Sequence, residues 1–286
     1  MKVNIVNKIL FGSCIIIFLG CARESGLQSG SDQNGQGEDV AVEGKAPKED
    51  ERFSGDKFNE HVRTTEARTP EEERLGFKLS PGFEIQLFAS EPDIGKPINM
   101  AFDAKGRLWI TQSYEYPFSA EPGTGKDRIT ILEDTNGDGK ADSFTVFQDT
   151  LNIPIGILPI HGGVVAYSIP YIQRYFDNNQ DGQPERKQKL MGPFGYKDTH
   201  GMINNLVRGY DGWIHSGHGF SNTSTVAGAD GDSIKMESGN TFRFTIDGSR
   251  VEQTTFGRVN PFGLVYDEWG YLYLKHGYER LGNRAG

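Results

Sequence analysis

Cysteine is almost missing from this sequence of 286 residues, which has only two, Cys14 and Cys21, both near the start. The rest of the chain therefore cannot form a disulfide framework or a cysteine-based zinc site. Basic residues are also few, because 30 Lys and Arg stand against 39 Asp and Glu and give a formal net charge of −9. Since no segment gathers them into a patch, the sequence argues against a nucleic-acid partner.

Long apolar runs are scarce as well. The apolar share is 36%, and the clearest run, Ile9 to Leu19, has eleven residues, which is too short to cross a bilayer. These features exclude a membrane protein with several spans. Glycine is abundant instead, with 37 residues, and this predicts many turns.

The first 21 residues are organised as an export signal. Lys2 and Lys8 precede the apolar run, and Phe18-Leu-Gly-Cys21 resembles the lipobox of bacterial lipoproteins, in which the cysteine is lipidated and becomes the mature N-terminus. We predict a lipoprotein signal peptide over residues 1–20 and lipidation of Cys21. The protein would then be lipid-anchored in the bacterial cell envelope, on the periplasmic or cell-surface side. A plain signal peptide and an N-terminal membrane anchor are the alternatives.

The segment after the signal is polar and predicts a flexible tether over residues 21–68. It consists largely of Ser, Gly, Gln, Asp, Glu and Lys, which cannot bury enough apolar surface to offset the entropy lost on ordering. The motif Thr69-Pro-Glu-Glu72 has the pattern of a capping box and starts a short helix that ends near Gly76. The folded domain is therefore predicted to occupy residues 69–286.

A strand, glycine turn, strand unit occurs four times in this domain. The turns are marked by Gly106, Gly163, Gly212 and Gly270, at intervals of 57, 49 and 58 residues. A second hairpin is predicted after each of the first three units, over residues 128–147, 172–190 and 241–256. Two hairpins per repeat make a four-stranded propeller blade. A β-sandwich also alternates polar and apolar residues, but it does not repeat a paired hairpin at near-constant spacing.

These repeats predict an all-β fold, a β-propeller of which the chain holds about four blades. Only 16 residues follow Gly270, so the fourth blade would lack its outer half, and we expect a truncated domain. An open propeller exposes unpaired strand edges. The expectation for the chain alone is therefore poor solubility and no activity.

Two loops carry oxygen ligands at calcium-loop spacing, namely positions 1, 3, 5 and 9 with glycine at position 6. Position 12 lacks Glu in both, so neither is an EF-hand. Structural Ca²⁺ is the predicted occupant, and plain turns at hairpin tips are the alternative. The predicted ligands are Asp134, Asn136, Asp138 and Asp142 in the first loop and Asp177, Asn179, Asp181 and Glu185 in the second.

Several polar residues lie in or beside the predicted inner strands, which line the channel of a propeller. His200, Arg208 and His218 are the predicted catalytic residues, because a neutral His beside a carboxylate such as Asp198 can act as a general base and Arg can hold an anion. The predicted cofactor-binding residues are Asn99, Asn222 and Asn260. The alternative is that these side chains only satisfy backbone groups in glycine-rich loops.

Five motifs between Pro70 and Gly270 belong together: Phe77-Lys-Leu-Ser-Pro-Gly-Phe83, Asn99-Met-Ala-Phe-Asp103, Asp198-Thr-His-Gly201, Arg208-Gly-Tyr-Asp-Gly-Trp213 and Asn260-Pro-Phe-Gly263. With these motifs the sequence resembles the propeller of the membrane-bound dehydrogenases of Bacteroidetes and Planctomycetes. That family is similar to soluble glucose/sorbosone dehydrogenases that use pyrroloquinoline quinone (PQQ). The resemblance implies six blades of the sorbosone dehydrogenase type, often followed by a cytochrome c domain.

By this resemblance the protein would be a membrane-anchored sugar or alcohol dehydrogenase. A histidine would take the hydroxyl proton while hydride passes to PQQ, Ca²⁺ would polarise the quinone, and a quinone or cytochrome c would accept the electrons. His200 and Arg208 match the motifs. Two other functions stay open: a non-catalytic surface propeller that binds glycans or proteins, and a propeller hydrolase acting on sugar lactones or glycans.

Overall fold

A computed structural model of the chain describes residues 66–256 and 260–276. The predicted signal peptide, Cys21 and the tether up to residue 65 lie outside the described residues. Within the described ranges, no helix combines the length and apolar character needed to span a membrane.

One α-helix is described, α1 (Pro70–Gly76), and it begins with the predicted capping box. The Thr69 hydroxyl accepts a hydrogen bond from Glu72 N at 3.2 Å, and the Glu72 carboxylate accepts one from Thr69 N at 2.7 Å. This bond from the Thr69 backbone lowers the pKa of the Glu72 carboxyl. The reciprocal bonds satisfy two donors that a helix start leaves free, which explains why the helix starts here.

Sixteen strands follow in the described ranges, and the first eight form two four-stranded antiparallel sheets in chain order. Blade 1 contains β1 (Pro97–Phe102), β2 (Leu108–Gln112), β3 (Asp127–Glu133) and β4 (Ser143–Leu151). Blade 2 contains β5 (Gly156–Ile160), β6 (Gly163–Ser168), β7 (Tyr171–Phe176) and β8 (Arg186–Met191).

Blade 3 has the same antiparallel order but carries an inserted hairpin. Its sheet consists of β9 (Ile203–Arg208), β10 (Ile214–His218), β13 (Asn240–Phe244) and β14 (Val251–Thr255). The inserted strands are β11 (Thr223–Ala227) and β12 (Ser233–Glu237), and a last two-stranded sheet pairs β15 (Pro261–Tyr266) with β16 (Leu272–His276). The insertion was not predicted, although alternation in β11 and a turn at Asp230-Gly231 are ordinary hairpin signals.

The described residues therefore hold three four-stranded propeller blades and the inner hairpin of a fourth, and the predicted all-β propeller architecture is confirmed. The innermost strands β1, β5, β9 and β15 contact one another in that order. Below, the upper end is where these four strands begin, and the lower end is where each turns into the next strand.

Aromatic side chains fill the spaces between blades. Between blades 1 and 2, the rings of Trp109 and Phe147, both from blade 1, pack edge-on with their centroids 4.8 Å apart. Tyr175 of blade 2 lies in the same buried cluster. Between blades 2 and 3, Phe194 packs against Tyr167 and Phe242. Large aromatic rings dominate the energetics of a buried core. The packing between blades therefore stabilises the positions of the inner strands.

Candidate functional site

The upper loops of two non-adjacent blades meet at a short 3-10 turn, Thr199–Gly201, which precedes β9. The Thr199 hydroxyl donates to the carbonyl of Pro117, at 2.6 Å, in the long β2–β3 loop of blade 1. Tyr116, beside Pro117, packs edge-on against His200 with ring centroids 5.5 Å apart. The turn before blade 3 and the upper loop of blade 1 therefore form one continuous surface.

His200 lies on this surface with its imidazole 69% exposed. Its Nδ1 is 3.2 Å from Asp198 Oδ1, and the same oxygen accepts from the His200 backbone N–H at 3.0 Å. Since a carboxylate can only accept, Nδ1 is the donor in this contact, and in the neutral imidazole Nε2 then carries the lone pair. The predicted histidine and its neighbouring carboxylate therefore form an accessible dyad with a free basic nitrogen.

Asn222 fixes the backbone that carries this dyad. Its amide nitrogen donates to the carbonyls of Asp198 and Gly201, both at 2.8 Å, and its oxygen accepts from Asp198 N at 3.1 Å. The residue is buried, so its polar atoms are directed to the protein. The structure makes Asn222 a positioning residue for His200, which differs from the predicted contact with a cofactor.

Tyr116, whose ring contacts His200, has a lysine beside it. Lys96 extends its amine to 3.1 Å from the Tyr116 carbonyl and 5.9 Å from the Tyr116 ring centroid. Partial burial, and then the nearby Asp198 carboxylate, raise the pKa of the Tyr116 phenol. The surface around the dyad thus combines a cation with a phenol that stays protonated at neutral pH.

Asp127, at the start of β3, anchors the blade 1 loop. One oxygen accepts from the backbone N–H groups of Tyr114 and Glu115 at 2.6 and 3.1 Å, and the other accepts from the Ser113 hydroxyl and Ile153 N at 2.7 Å. Its side chain has 0% exposure. Sequence reasoning missed this residue, because nothing local marks an Asp whose donors lie 12 to 26 positions away.

His218 is buried in blade 3, contrary to its predicted catalytic role. Nδ1 lies 2.8 Å from the Ser238 carbonyl and must donate to it, while Nε2 lies 2.8 Å from the Ser224 hydroxyl. Burial lowers the pKa of this imidazole, which keeps it neutral. Both nitrogens are engaged in holding the β11–β12 insertion on β10, so His218 offers no nitrogen to a substrate.

The other two predicted cofactor ligands also make bonds within the protein. Asn99 donates its amide to the Ile155 carbonyl at 2.8 Å, which links β1 to the start of blade 2. Asn204 makes the corresponding bond, 3.0 Å, from β9 to Pro261. The bond made by Asn99 is therefore repeated by Asn204 at the next but one blade. Asn260 lies at the upper end, where its side-chain oxygen accepts a hydrogen bond from Phe220 N at 3.1 Å.

Arg208 lies at the other end of the molecule from His200. It is the last residue of β9, whereas His200 precedes the first, and the six-residue strand alone spans roughly 16 Å. The predicted convergence of these two residues on one ligand is therefore wrong. Sequence proximity suggested it, but the direction of β9 separates them.

The two predicted calcium loops lie at the lower end, on the outer hairpins of blades 1 and 2. In both, the first Asp accepts from backbone N–H groups of the fifth and sixth residues, at 3.2 and 2.8 Å for Asp134 and at 3.1 and 3.3 Å for Asp177. Asp142 and Glu185, at position 9, accept from Thr135 and Asn178. Within the described ranges no three His, Cys, Asp or Glu side chains are grouped to hold a metal.

A family model described as "Domain of unknown function (DUF7133)" matches residues 69–283. Comparison with curated proteins gives no match.

Among solved structures, the chain is similar to a luciferin-regenerating enzyme at 12% identity and TM-score 0.38, covering 64% of this chain and 71% of that one. It is also similar to the extracellular domain of a one-component system from B. thetaiotaomicron, at 14% identity and TM-score 0.36 over 63% and 22%. A third is virginiamycin B lyase from Staphylococcus aureus, at 14% identity and TM-score 0.30 over 66% and 80%. The fold assignment depends on the repeated four-stranded sheets and not on these similarities.

Proposed function

The chain belongs to the family of domains of unknown function DUF7133, and we propose that its propeller oxidises a sugar or another alcohol with a quinone as hydride acceptor. The single observation that supports this proposal is the His200–Asp198 dyad. Its exposed Nε2 is free of partners in the described part of the chain, and its Nδ1 is fixed by a carboxylate. This is what a general base for a hydroxyl proton needs.

The groups around the dyad fit a flat, anionic quinone such as PQQ. The Lys96 amine is a point charge for a carboxylate, and exposed aromatic rings on the same upper loops can stack on a planar molecule. These rings are Tyr114 (54% exposed), Phe118 (54%) and Phe220 (48%). Bound PQQ would supply the acceptor of the hydride that leaves the substrate carbon.

The protein residues would then accept the hydroxyl proton and orient the substrate. His200 Nε2 accepts the hydroxyl proton, and Asp198 stabilises the resulting imidazolium. The Tyr116 phenol, whose pKa is raised, can donate a hydrogen bond to the substrate oxygen. The dyad thus removes a proton from oxygen as hydride leaves carbon, which balances the oxidation of an alcohol to a carbonyl.

Dye reduction tests the proposal. The protein, in the longest form that its gene encodes, is incubated with PQQ, Ca²⁺ and an artificial electron acceptor, and a panel of sugars and alcohols is screened. We expect substrate-dependent reduction that requires added PQQ. Absence of reduction, with PQQ binding verified by absorbance, would contradict the proposal.

The exposed rings also favour a second candidate, glycan binding without catalysis. Aromatic faces stack on sugar rings, and Phe118 and Phe220 are about half exposed on the upper loops. Under this function the protein would bind oligosaccharides on an array without PQQ, and Phe118→Ala would weaken binding while His200→Ala would not. The two candidates therefore differ in which variant matters.

Membrane anchoring through Cys21 is part of the proposal. We expect the protein in the membrane fraction, labelled by a fatty-acid analogue, because the lipobox directs lipidation. Cys21→Ser should abolish the label, whereas Cys14→Ser, inside the cleaved signal, should leave the mature protein labelled. Equal labelling of the Cys21→Ser variant would disprove lipidation at this residue.

Calcium binding to the outer loops is proposed as structural. If the loop bearing Asp138 binds Ca²⁺, a concentration ten times the Kd stabilises the native state by about 1.4 kcal/mol, and the Tm of the propeller should rise by roughly 3 to 5 °C. Asp138→Ala should reduce the rise. Asp247→Ala is the control, because the Asp247 carboxylate accepts hydrogen bonds from Thr245 and Ser249 of its own hairpin turn. An unchanged Tm in millimolar Ca²⁺ would leave the loops as plain turns.

A further inference from the structure

A pocket of about 300 Å³ opens at the lower end, at the opposite end of the inner strands from His200. It is lined by the inner turns of blades 1 and 2 and by the end of β9 in blade 3. Its apolar lining includes Trp109, Leu158, Pro159 and Ile160. The volume suits a small molecule with an apolar body.

Besides Arg107, which is paired with Asp103, each of three successive blades contributes one cationic or basic side chain to this pocket. Lys105 comes from the β1–β2 turn, His161 from the β5–β6 turn and Arg208 from the end of β9. In the ranges that the structure describes, no hydrogen bond or ion pair engages any of these three side chains. Their donors are therefore available to a ligand.

The two carboxylates of the pocket are already committed to the protein. Asp103 accepts from Arg107 Nε at 2.7 Å and from Trp109 Nε1 at 3.0 Å. Burial opposes ionisation of Asp103, but these bonds outweigh it and lower the pKa of its carboxyl. Asp177 is buried and accepts from the backbone of its own loop.

We propose that this pocket binds a small organic anion, with its carboxylate or phosphate held by Arg208 and Lys105 and its apolar body against Trp109 and Ile160. Arg and Lys donors recognise such groups through charge-assisted hydrogen bonds. The apolar wall distinguishes an organic anion from an inorganic one, since inorganic phosphate gains nothing from it. The site is independent of the dyad and of the proposed oxidation.

Trp109 provides the test, because its indole N–H lies in the wall of the pocket. The full chain, labelled with ¹⁵N-tryptophan, has three indole signals from its three Trp residues, and Trp109→Phe assigns the relevant one. Benzoate, phenyl phosphate and inorganic phosphate are titrated separately. We expect the Trp109 signal to shift saturably with benzoate or phenyl phosphate, at least about fivefold more tightly than with inorganic phosphate.

Variants separate the specific site from general anion binding. Arg208→Gln and Lys105→Gln are each expected to weaken binding of the organic probe about fivefold or more. Both side chains are exposed and make no hydrogen bond or ion pair within residues 66–256 and 260–276, so folding should tolerate their loss. Arg250→Gln, at the same end but outside the pocket, should leave the affinity unchanged. The proposal fails if no probe shifts Trp109, if inorganic phosphate binds as tightly as both organic probes, or if Arg208→Gln and Lys105→Gln bind like the unmodified chain. Tighter binding of benzoate or of phenyl phosphate identifies the anionic group.

Discussion

Under the proposed oxidation, His200→Ala should lower the kcat of PQQ-dependent dye reduction by about 10² to 10⁴-fold, the usual contribution of a general base. The reason is that Nε2 is the free basic nitrogen of the dyad, with Nδ1 held at 3.2 Å from Asp198. Since the side chain is largely exposed and, among the residues that the structure describes, its hydrogen bond goes only to Asp198, its removal should leave the Tm nearly unchanged. The measurement is steady-state kinetics beside a thermal melt.

Two further variants make this prediction specific. Asp198→Asn keeps the shape of the turn but removes the charge that stabilises the imidazolium, so a smaller loss in kcat is expected. Lys187→Gln, on the exposed face of β8, is the control and should keep full activity. Activity of His200→Ala within a factor of three of the unmodified protein would rule out this histidine as the base.

The blade repeat could be predicted from sequence because glycine turns and the alternation of polar and apolar residues in strands are local signals. Gly163 shows why one such glycine is required: its φ is 134°, and a Cβ would lie 2.0 Å from the Tyr175 carbonyl oxygen. The His200–Asp198 pairing was also accessible from sequence, since the two residues are two positions apart. Local chemistry at short spacing therefore predicts well in this fold.

What failed was the assignment of polar residues to a common cavity. His218 and Asn222 lie in a glycine-rich stretch that also contains His215, and the sequence does not say which of them face inward. The structure buries His218 and Asn222 on backbone and hydroxyl partners. Buried polar groups need hydrogen-bond partners. In these loops, His218 and Asn222 supply such partners to the protein itself, and this explains their presence without a ligand.

Arg208 illustrates the opposite case, in which the residue is accessible but lies at the wrong end. A strand of six residues places its last residue at the lower end of the blade. Residues that are close in sequence, such as His200 and Arg208, therefore lie at different ends of the channel. Lys105 and His161, which share the lower pocket with Arg208, have no sequence signal in common. Only the blade register, with one inner turn per repeat, brings them together.

Asp127→Ala is expected to destabilise the propeller by about 3 to 5 kcal/mol, with a fall in Tm of roughly 10 °C or more. The carboxylate is fully buried and satisfies four donors, among them Ser113 Oγ and Ile153 N. Alanine would leave these donors without an acceptor in a site that excludes water, which costs more than the loss of one exposed bond. Chemical unfolding monitored by fluorescence measures the change.

Asp127→Asn and Asp149→Ala sharpen this test. The amide keeps one acceptor oxygen for Tyr114 N and Glu115 N but turns an N–H toward Ile153 N, so an intermediate loss is expected. Asp149 is exposed on β4, and its removal changes the net charge equally with little cost. If Asp127→Ala costs no more than Asp149→Ala, the carboxylate does not organise this loop.

Because the same loop carries Tyr116 and Pro117 to the His200 turn, a destabilised but folded Asp127→Asn protein should also lose the proposed dehydrogenase activity. The stability of blade 1 and the geometry of the dyad would then depend on one buried side chain.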